Sequence, residues 1–176
     1  MNPIAEGRLT FRFDGAVSSE KYDEWNFYKS TMNQSLQPKG VDMAVVKTEA
    51  LPQVTFLVEV KDFRVIDSPP KPSNLSQLPQ TVALKVANTI GGLSRAANEA
   101  SVPSELAFAR LVQKTTSVRV VLHLEEHSGS SIALFPVNFR ASVYQRLKQL
   151  VQQYDSNPLV LNLANTPKAG VPWAVS

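Results

Sequence analysis

The sequence predicts an α/β domain in which helices flank a central mixed sheet. Alternating apolar residues over 9–13 and two aliphatic runs within 41–64 are typical of β-strands. Residues 78–99 and 139–154 repeat apolar side chains at helical spacing, and 159–163 is a last aliphatic strand. Strands and helices that alternate in this way favour a layered α/β architecture.

Composition limits the function classes. The chain has 176 residues, which is enough for one domain spanning 1–176 with a sizeable core. Its net charge of +3 permits a polyanionic partner without requiring one, and the lack of cysteine excludes disulfides and thiolate zinc sites. There is neither a membrane-length apolar run nor a recognisable secretory signal, so we expect a cytoplasmic protein that does not contact membranes.

The first strand, Leu9–Phe13, is followed by a turn at Asp14-Gly15. Ser18 and Ser19 are candidate N-caps for a helix that begins near Glu20 and ends at 37–40. Its predicted buried stripe is largely aromatic: Tyr22, Trp25, Tyr28 (or Phe27) and Met32. This helix would precede the central strands.

The stretch GVDMAVVKTEALPQVTFLVEVKDFR, residues 40–64, contains two aliphatic runs joined by a short polar turn. Glu59 and Lys61 are two residues apart in the second predicted strand, so their side chains project from one face while Val60 points to the other. If the two strands pair antiparallel, Asp42 lies at the same end. Two carboxylates and an ammonium would then converge on one pocket.

After the strands, a Pro-rich loop is predicted at 67–74. A helix over 78–99 follows, and Ser104 could cap a further helix that reaches Val112. The remaining predicted elements are a strand over 118–125, a helix over 139–154, a strand over 159–163 and a C-terminal tail at 164–176.

Asp42 together with the tripeptide Glu59-Val60-Lys61 resembles the motif of the PD-(D/E)XK nuclease superfamily. Val41 stands where the family name places a proline. The resemblance implies a restriction-endonuclease-like fold with an αβββαβ-type core. It also implies a single nuclease-like domain over the whole chain.

By this resemblance, the bound cofactor is Mg²⁺, for which Mn²⁺ is expected to substitute. Asp42, Glu59 and the Val60 carbonyl would be the metal ligands, since Mg²⁺ prefers oxygen. Lys61 would orient or deprotonate the attacking water, or neutralise a non-bridging oxygen of the phosphate. A further catalytic glutamate is expected from the first helix, where Glu20, Asp23 and Glu24 compete and Glu24 is favoured because it adjoins Trp25.

The expected function is hydrolysis of phosphodiester bonds, with DNA as the expected nucleic acid and a homodimer or a partner protein supplying specificity. The alternative is a catalytically inactive module of the same fold that binds nucleic acid or a protein. The residues alone also allow a structural ion pair at the sheet edge. Lys85 is interpreted as a solvated lysine in preference to a site residue, and His123 as a hydrogen-bonded core histidine.

Overall fold

A computed structural model describes residues 3–15, 17–32, 39–48, 52–64, 72–126 and 138–176. Its larger sheet has five strands in the order β3-β4-β5-β6-β7. Their bounds are Val17–Lys21 (β3), Met43–Lys47 (β4), Val54–Asp62 (β5), Ser117–Glu125 (β6) and Leu159–Leu161 (β7).

The larger sheet is mixed. Strands β3, β4 and β5 form an antiparallel meander, whereas β6 lies parallel to β5 and β7 parallel to β6. Because β6 runs parallel to β5, the chain must cross over between them, and helices lie in that connection. The predicted α/β class, with a mixed sheet flanked by helices, is therefore confirmed. The two strands predicted within 41–64 are β4 and β5, paired antiparallel as expected.

A smaller three-stranded sheet joins the two ends of the chain. It contains β1 (Ile4–Glu6), β2 (Leu9–Phe13) and β8 (Trp173–Val175) in the order β1-β2-β8. The predicted strand Leu9–Phe13 is confirmed, but it pairs with β8 and not with the central sheet. The predicted C-terminal tail thus contains a strand, whose Trp173 lies opposite Phe13.

Four α-helices are described: α1 (Pro72–Ser76), α2 (Leu78–Glu99), α3 (Pro103–Gln113) and α4 (Phe139–Val151). Helix α2 has the predicted bounds, and its predicted stripe members Val82, Val86 and Leu93 are buried. Helix α4 ends three residues before the predicted Tyr154. The part of the predicted Pro-rich loop before Pro72 lies outside the described residues. None of the described helices is long and apolar enough to cross a membrane.

The prediction that a helix begins near Glu20 is wrong, because Glu20 and Lys21 belong to a strand. Residues 17–21 form β3, which pairs with β4 along its whole length, and Tyr22–Glu24 and Tyr28–Met32 form only short 3₁₀ and π turns. Glu105 of α3 holds this segment, because its carboxylate accepts the N–H groups of Asn26 and Phe27 at 2.7 and 3.0 Å. Pairing with a sheet edge therefore overrides the local capping signal.

Both faces of the larger sheet are covered. One face carries the main core, in which α2, α3 and α4 pack on the sheet together with Tyr22, Trp25, Phe27 and Tyr28. The other face carries a second core shared with the small sheet, which includes Leu9, Phe11 and Trp173. The aromatic stripe predicted from the sequence is thus buried, although its backbone is not one regular helix.

Two glycines should respond oppositely to replacement by alanine. At Gly91, on the exposed side of α2, an added Cβ meets nothing within 4 Å. Gly91→Ala should therefore raise the free energy of unfolding by roughly 1 kcal/mol, because alanine favours the helical backbone. At Gly40, an added Cβ would lie 2.6 Å from Cε1 of the buried Tyr22. Gly40→Ala should lower the free energy of unfolding by about 1–3 kcal/mol.

Urea unfolding followed by circular dichroism measures both changes. Gly15→Ala is the control, since its Cβ would also meet nothing within 4 Å and it lies outside the helices. Equal effects at Gly40 and Gly15 would contradict the packing of Tyr22 described here.

Candidate functional site

Asp42 and Glu59 meet at one end of the β4–β5 pair. Met43 pairs with Val58, so Asp42, one residue before β4, lies beside the segment that begins at Glu59. The Val60 N–H donates a hydrogen bond to Asp42 Oδ2 at 2.6 Å. Glu59 is fully buried and Asp42 nearly so. The convergence expected from the alternation of strand residues is therefore present.

Two lysines complete a charged cluster with these carboxylates. Lys85 Nζ, from α2, lies 2.6 and 2.8 Å from the two oxygens of Glu59 and 3.5 Å from Asp42 Oδ1. Lys61 Nζ lies 2.7 Å from Glu59 Oε1, and about a third of its side chain is exposed. The Asp42 cluster, defined as Asp42, Glu59, Lys61 and Lys85, therefore contains two negative and two positive groups.

Helix α2 is held in the position that brings Lys85 to the cluster. Val82 and Val86, on either side of Lys85 in sequence, are buried in the main core. One turn later, Thr89 Oγ1 accepts the Val41 N–H at 2.9 Å and donates to the Lys85 carbonyl at 2.8 Å. The residue before Asp42 is thus bonded to the helix that carries Lys85. The interpretation of Lys85 as a solvated lysine is wrong.

The protonation equilibria of the cluster reflect burial and pairing together. Burial raises the pKa of Glu59, with a further upward contribution from Asp42, and the two lysines only partly oppose this. Burial lowers the pKa of Lys85, but the charges of Glu59 and Asp42 outweigh it, so the net shift is upward. Lys85 accordingly stays charged over the physiological range.

The three acids that compete for the site lie in different surroundings. Glu24, the favoured residue, is largely exposed and pairs with Lys21 at 2.9 Å. Glu20 Oε2 accepts a hydrogen bond from Trp25 Nε1 at 3.3 Å. Asp23 is the acid whose charge acts on Asp42: burial, and then repulsion from Asp42, raises the pKa of Asp23 to about 6. Of the three, Asp23 therefore neighbours the cluster, whereas Glu24 pairs with Lys21.

The carboxylate oxygens that the expected Mg²⁺ would need already have protein partners. Each of the four oxygens of Asp42 and Glu59 lies within 3.5 Å of a lysine ammonium or the Val60 N–H. The Lys85 ammonium takes the place between the carboxylates that a cation would need. Among the described residues, no group of three or more His, Cys, Asp or Glu side chains could hold a metal ion. As arranged here, the cluster does not fit Mg²⁺, and binding of Mg²⁺ stays a prediction.

His123 and Glu125 form a second buried polar pair. His123 Nε2 lies 2.9 Å from Glu125 Oε1, which also accepts the Leu163 N–H at 2.7 Å. Burial lowers the pKa of His123, so the imidazole is neutral at physiological pH. The prediction of a hydrogen-bonded core histidine is confirmed. Its partner Glu125 joins β6 to the residues after β7.

Comparison with known proteins gives one informative similarity. Over an alignment 213 positions long, the chain is 28% identical to a cysteine–tRNA ligase from Neisseria meningitidis serogroup A / serotype 4A. The alignment covers the whole of this chain but 30% of the length of that protein. No family model matches the chain. No solved structure matches it either.

This similarity contradicts the nuclease prediction. The relative is an enzyme, but its name describes a ligase that acts on tRNA and not a metal-dependent endonuclease. The expected phosphodiester hydrolysis, and the inactive nuclease module offered as its alternative, are therefore corrected. The motif predicted that the side chains of Asp42, Glu59 and Lys61 converge. It did not predict that Lys85 would pair with both carboxylates.

Replacement of Lys85 by methionine should destabilise the fold in a pH-dependent way. The substitution leaves Glu59 buried beside Asp42 without its closest positive partner, which costs roughly 3 kcal/mol at neutral pH. Because the pKa of Glu59 is raised in the folded state, the folded protein binds that proton more tightly than the unfolded chain does. Loss of Lys85 raises the pKa of Glu59 further, so the destabilisation should be full above the folded pKa of Glu59 in the variant and shrink as pH falls through it.

Urea unfolding of wild type and Lys85→Met across the acidic to neutral range tests this expectation. Lys61→Met is the matched control, since Lys61 is more exposed and should cost less. A loss for Lys85→Met that does not change with pH would mean that packing, and not charge, is responsible.

Proposed function

We propose that this chain is a tRNA-binding unit that works in cysteine–tRNA ligation. The observation that carries the proposal is the similarity to a cysteine–tRNA ligase along the entire chain. Since the alignment takes in 30% of that protein, the chain corresponds to a part of it, and binding is a role that a part can have alone. The proposed partner is thus RNA, in place of the DNA expected from the sequence.

The Asp42 cluster supports binding in preference to chemistry at that position. General acid–base catalysis needs a group that can exchange a proton with the substrate. In this cluster both carboxylates are engaged by Lys85, Lys61 and the Val60 N–H. We therefore assign the cluster a structural role and look for the RNA contact elsewhere.

Helix α4 offers a surface of suitable charge. The stretch 138–153 contains no acidic residue. Gln145, Arg146, Lys148 and Gln149 are exposed, and we call these four residues the α4 basic face. Lys148 Nζ lies 6.0 Å from the centre of the Tyr144 ring, and Arg146 donates to Gln149 Oε1 at 3.1 Å. Cations and amides arranged in this way can contact phosphates and sugars.

We also propose that the scaffold is restriction-endonuclease-like. The antiparallel strands β3, β4 and β5, helix α2 and the parallel strand β6 occur in the order βββαβ of that core. The short turns at Tyr22–Glu24 and Tyr28–Met32 lie between β3 and β4, whereas that core places its first helix before the three strands. An experimental structure in which β6 does not lie parallel beside β5 would exclude this scaffold.

Removing charge from the α4 basic face should weaken tRNA binding. For the double variant Arg146→Gln/Lys148→Gln, we expect the salt dependence of binding, as the slope of log affinity against log salt, to become shallower by about 1.5. The measurement is fluorescence anisotropy with a labelled cysteine tRNA transcript over a salt series. The control is Arg12→Gln/Lys168→Gln, which removes the same charge from exposed positions outside α4.

Two results would overturn the proposal. One is no binding of the tRNA transcript by wild type at low salt. The other is equally tight binding of duplex DNA of similar length, because the chain would then respond to any polyanion. If the slope is unchanged in the α4 double variant, tRNA binding still stands, but the α4 basic face is not where the RNA binds.

A further inference from the structure

An open groove lies at the other end of the larger sheet from the Asp42 cluster. It has a volume of about 420 Å³ and is walled by α2, the end of α3 with the turn after it, the start of β6 and the residues after α4. Glu59 and Lys61 are near the carboxyl end of β5, whereas Ser117 and Val118 open the parallel strand β6. The groove and the cluster are therefore separate features of one sheet.

The floor of the groove is apolar. Ile90, Val112, Val118 and Tyr154 line it, are partly buried, and pack against the main core. Their inner sides belong to the core while part of each side chain stays open to a ligand. Tyr154 supplies an aromatic ring. Its backbone N–H donates a hydrogen bond to the Val151 carbonyl at 2.8 Å, which fixes the position of the residue.

The rim of the groove is polar and neutral. Its exposed members are Ser94, Gln113, Thr116, Ser117 and Gln153. Hydroxyl and amide groups can both donate and accept hydrogen bonds, so they suit a ligand edge that carries both kinds of group. No acidic residue is among the lining residues. An anionic ligand would therefore meet no repulsive charge within the groove itself.

Two exposed basic residues, Lys114 and Arg146, lie near lining residues of the groove along the chain. Lys114 is exposed and lies between the lining residues Gln113 and Thr115. Arg146, Gln149 and Gln153 follow each other at intervals of three and four, which places them on one side of α4 and its following turn. Gln153 lines the groove, so this row leads from the α4 basic face into it.

We propose that this groove holds an unpaired base of an RNA, with Lys114 and Arg146 contacting the flanking phosphates. This inference rests on the proposed tRNA binding and names the part of the RNA that is read. A nucleobase has flat faces that stack on aromatic and apolar side chains, and an edge of donors and acceptors. The apolar floor matches the faces, the neutral rim matches the edge, and the nearby cations Lys114 and Arg146 match the phosphates on either side of the base.

The test fills the groove without removing any charge. Ser94→Trp places a large side chain at the rim, and Gln80→Trp is the matched control on an exposed position of the same helix, about 21 Å away. Binding of a single-stranded ten-nucleotide RNA and of the cysteine tRNA transcript is measured by fluorescence anisotropy. Thermal unfolding of both variants establishes that they fold.

We expect Ser94→Trp to weaken binding of the single-stranded RNA about tenfold, while Gln80→Trp binds like wild type. In photo-crosslinking with RNA that contains 4-thiouridine, the modified peptides should include residues from the groove lining. Unchanged affinity in Ser94→Trp, crosslinks confined to other segments, or equal binding of duplex RNA would overturn the groove assignment.

These outcomes separate the two proposals. If the α4 double variant loses tRNA affinity while Ser94→Trp keeps it, tRNA binding stands and the groove assignment falls. If wild type binds neither RNA, both fall.

Discussion

The salt bridge between Lys85 and Glu59 is the interaction on which the arrangement of this domain depends. Glu59 is fully buried, and a buried carboxylate without a positive partner is strongly destabilising. Lys85 supplies that partner from α2 and also approaches Asp42. Because Thr89 bonds to the Val41 N–H one turn later, α2 can lie on the sheet in only one register with respect to the β4–β5 pair.

The same interaction shows why the motif alone was a poor guide to function. Alternation along two strands correctly places Asp42, Glu59 and Lys61 together, since strand geometry depends only on local sequence. Whether such a set is reactive depends on its other neighbours, and those come from distant parts of the chain. Lys85 is 26 residues after Glu59, on a helix whose rotation about its axis is set by packing. The signal that could have identified it is its position between Val82 and Val86, which are both in the core.

Elements with a strong local pattern were predictable, and those made by long-range pairing were not. Helix α2 and strands β4, β5 and β6 follow from hydrophobic periodicity over many residues. Strand β3 has the sequence Val-Ser-Ser-Glu-Lys, whose polar residues indicate a helix start, yet each of its residues pairs with β4. Strand β8 pairs with β2, with Arg12 opposite Ala174. This pairing joins the two ends of the chain, so no local pattern encodes it.

Charge pairing also determines where on this fold a polyanion can be bound. At the carboxyl end of β5, Lys85 and Lys61 form ion pairs with carboxylates of Glu59 and Asp42, so their charges are already neutralised. A phosphate that approached there would have to displace a buried carboxylate from its partner, which is energetically costly. On α4, by contrast, Arg146 and Lys148 are exposed among amides, and no acid occurs between 138 and 153. The local charge balance therefore favours contact at α4 and the adjoining groove, even though the net charge of the whole chain is only +3.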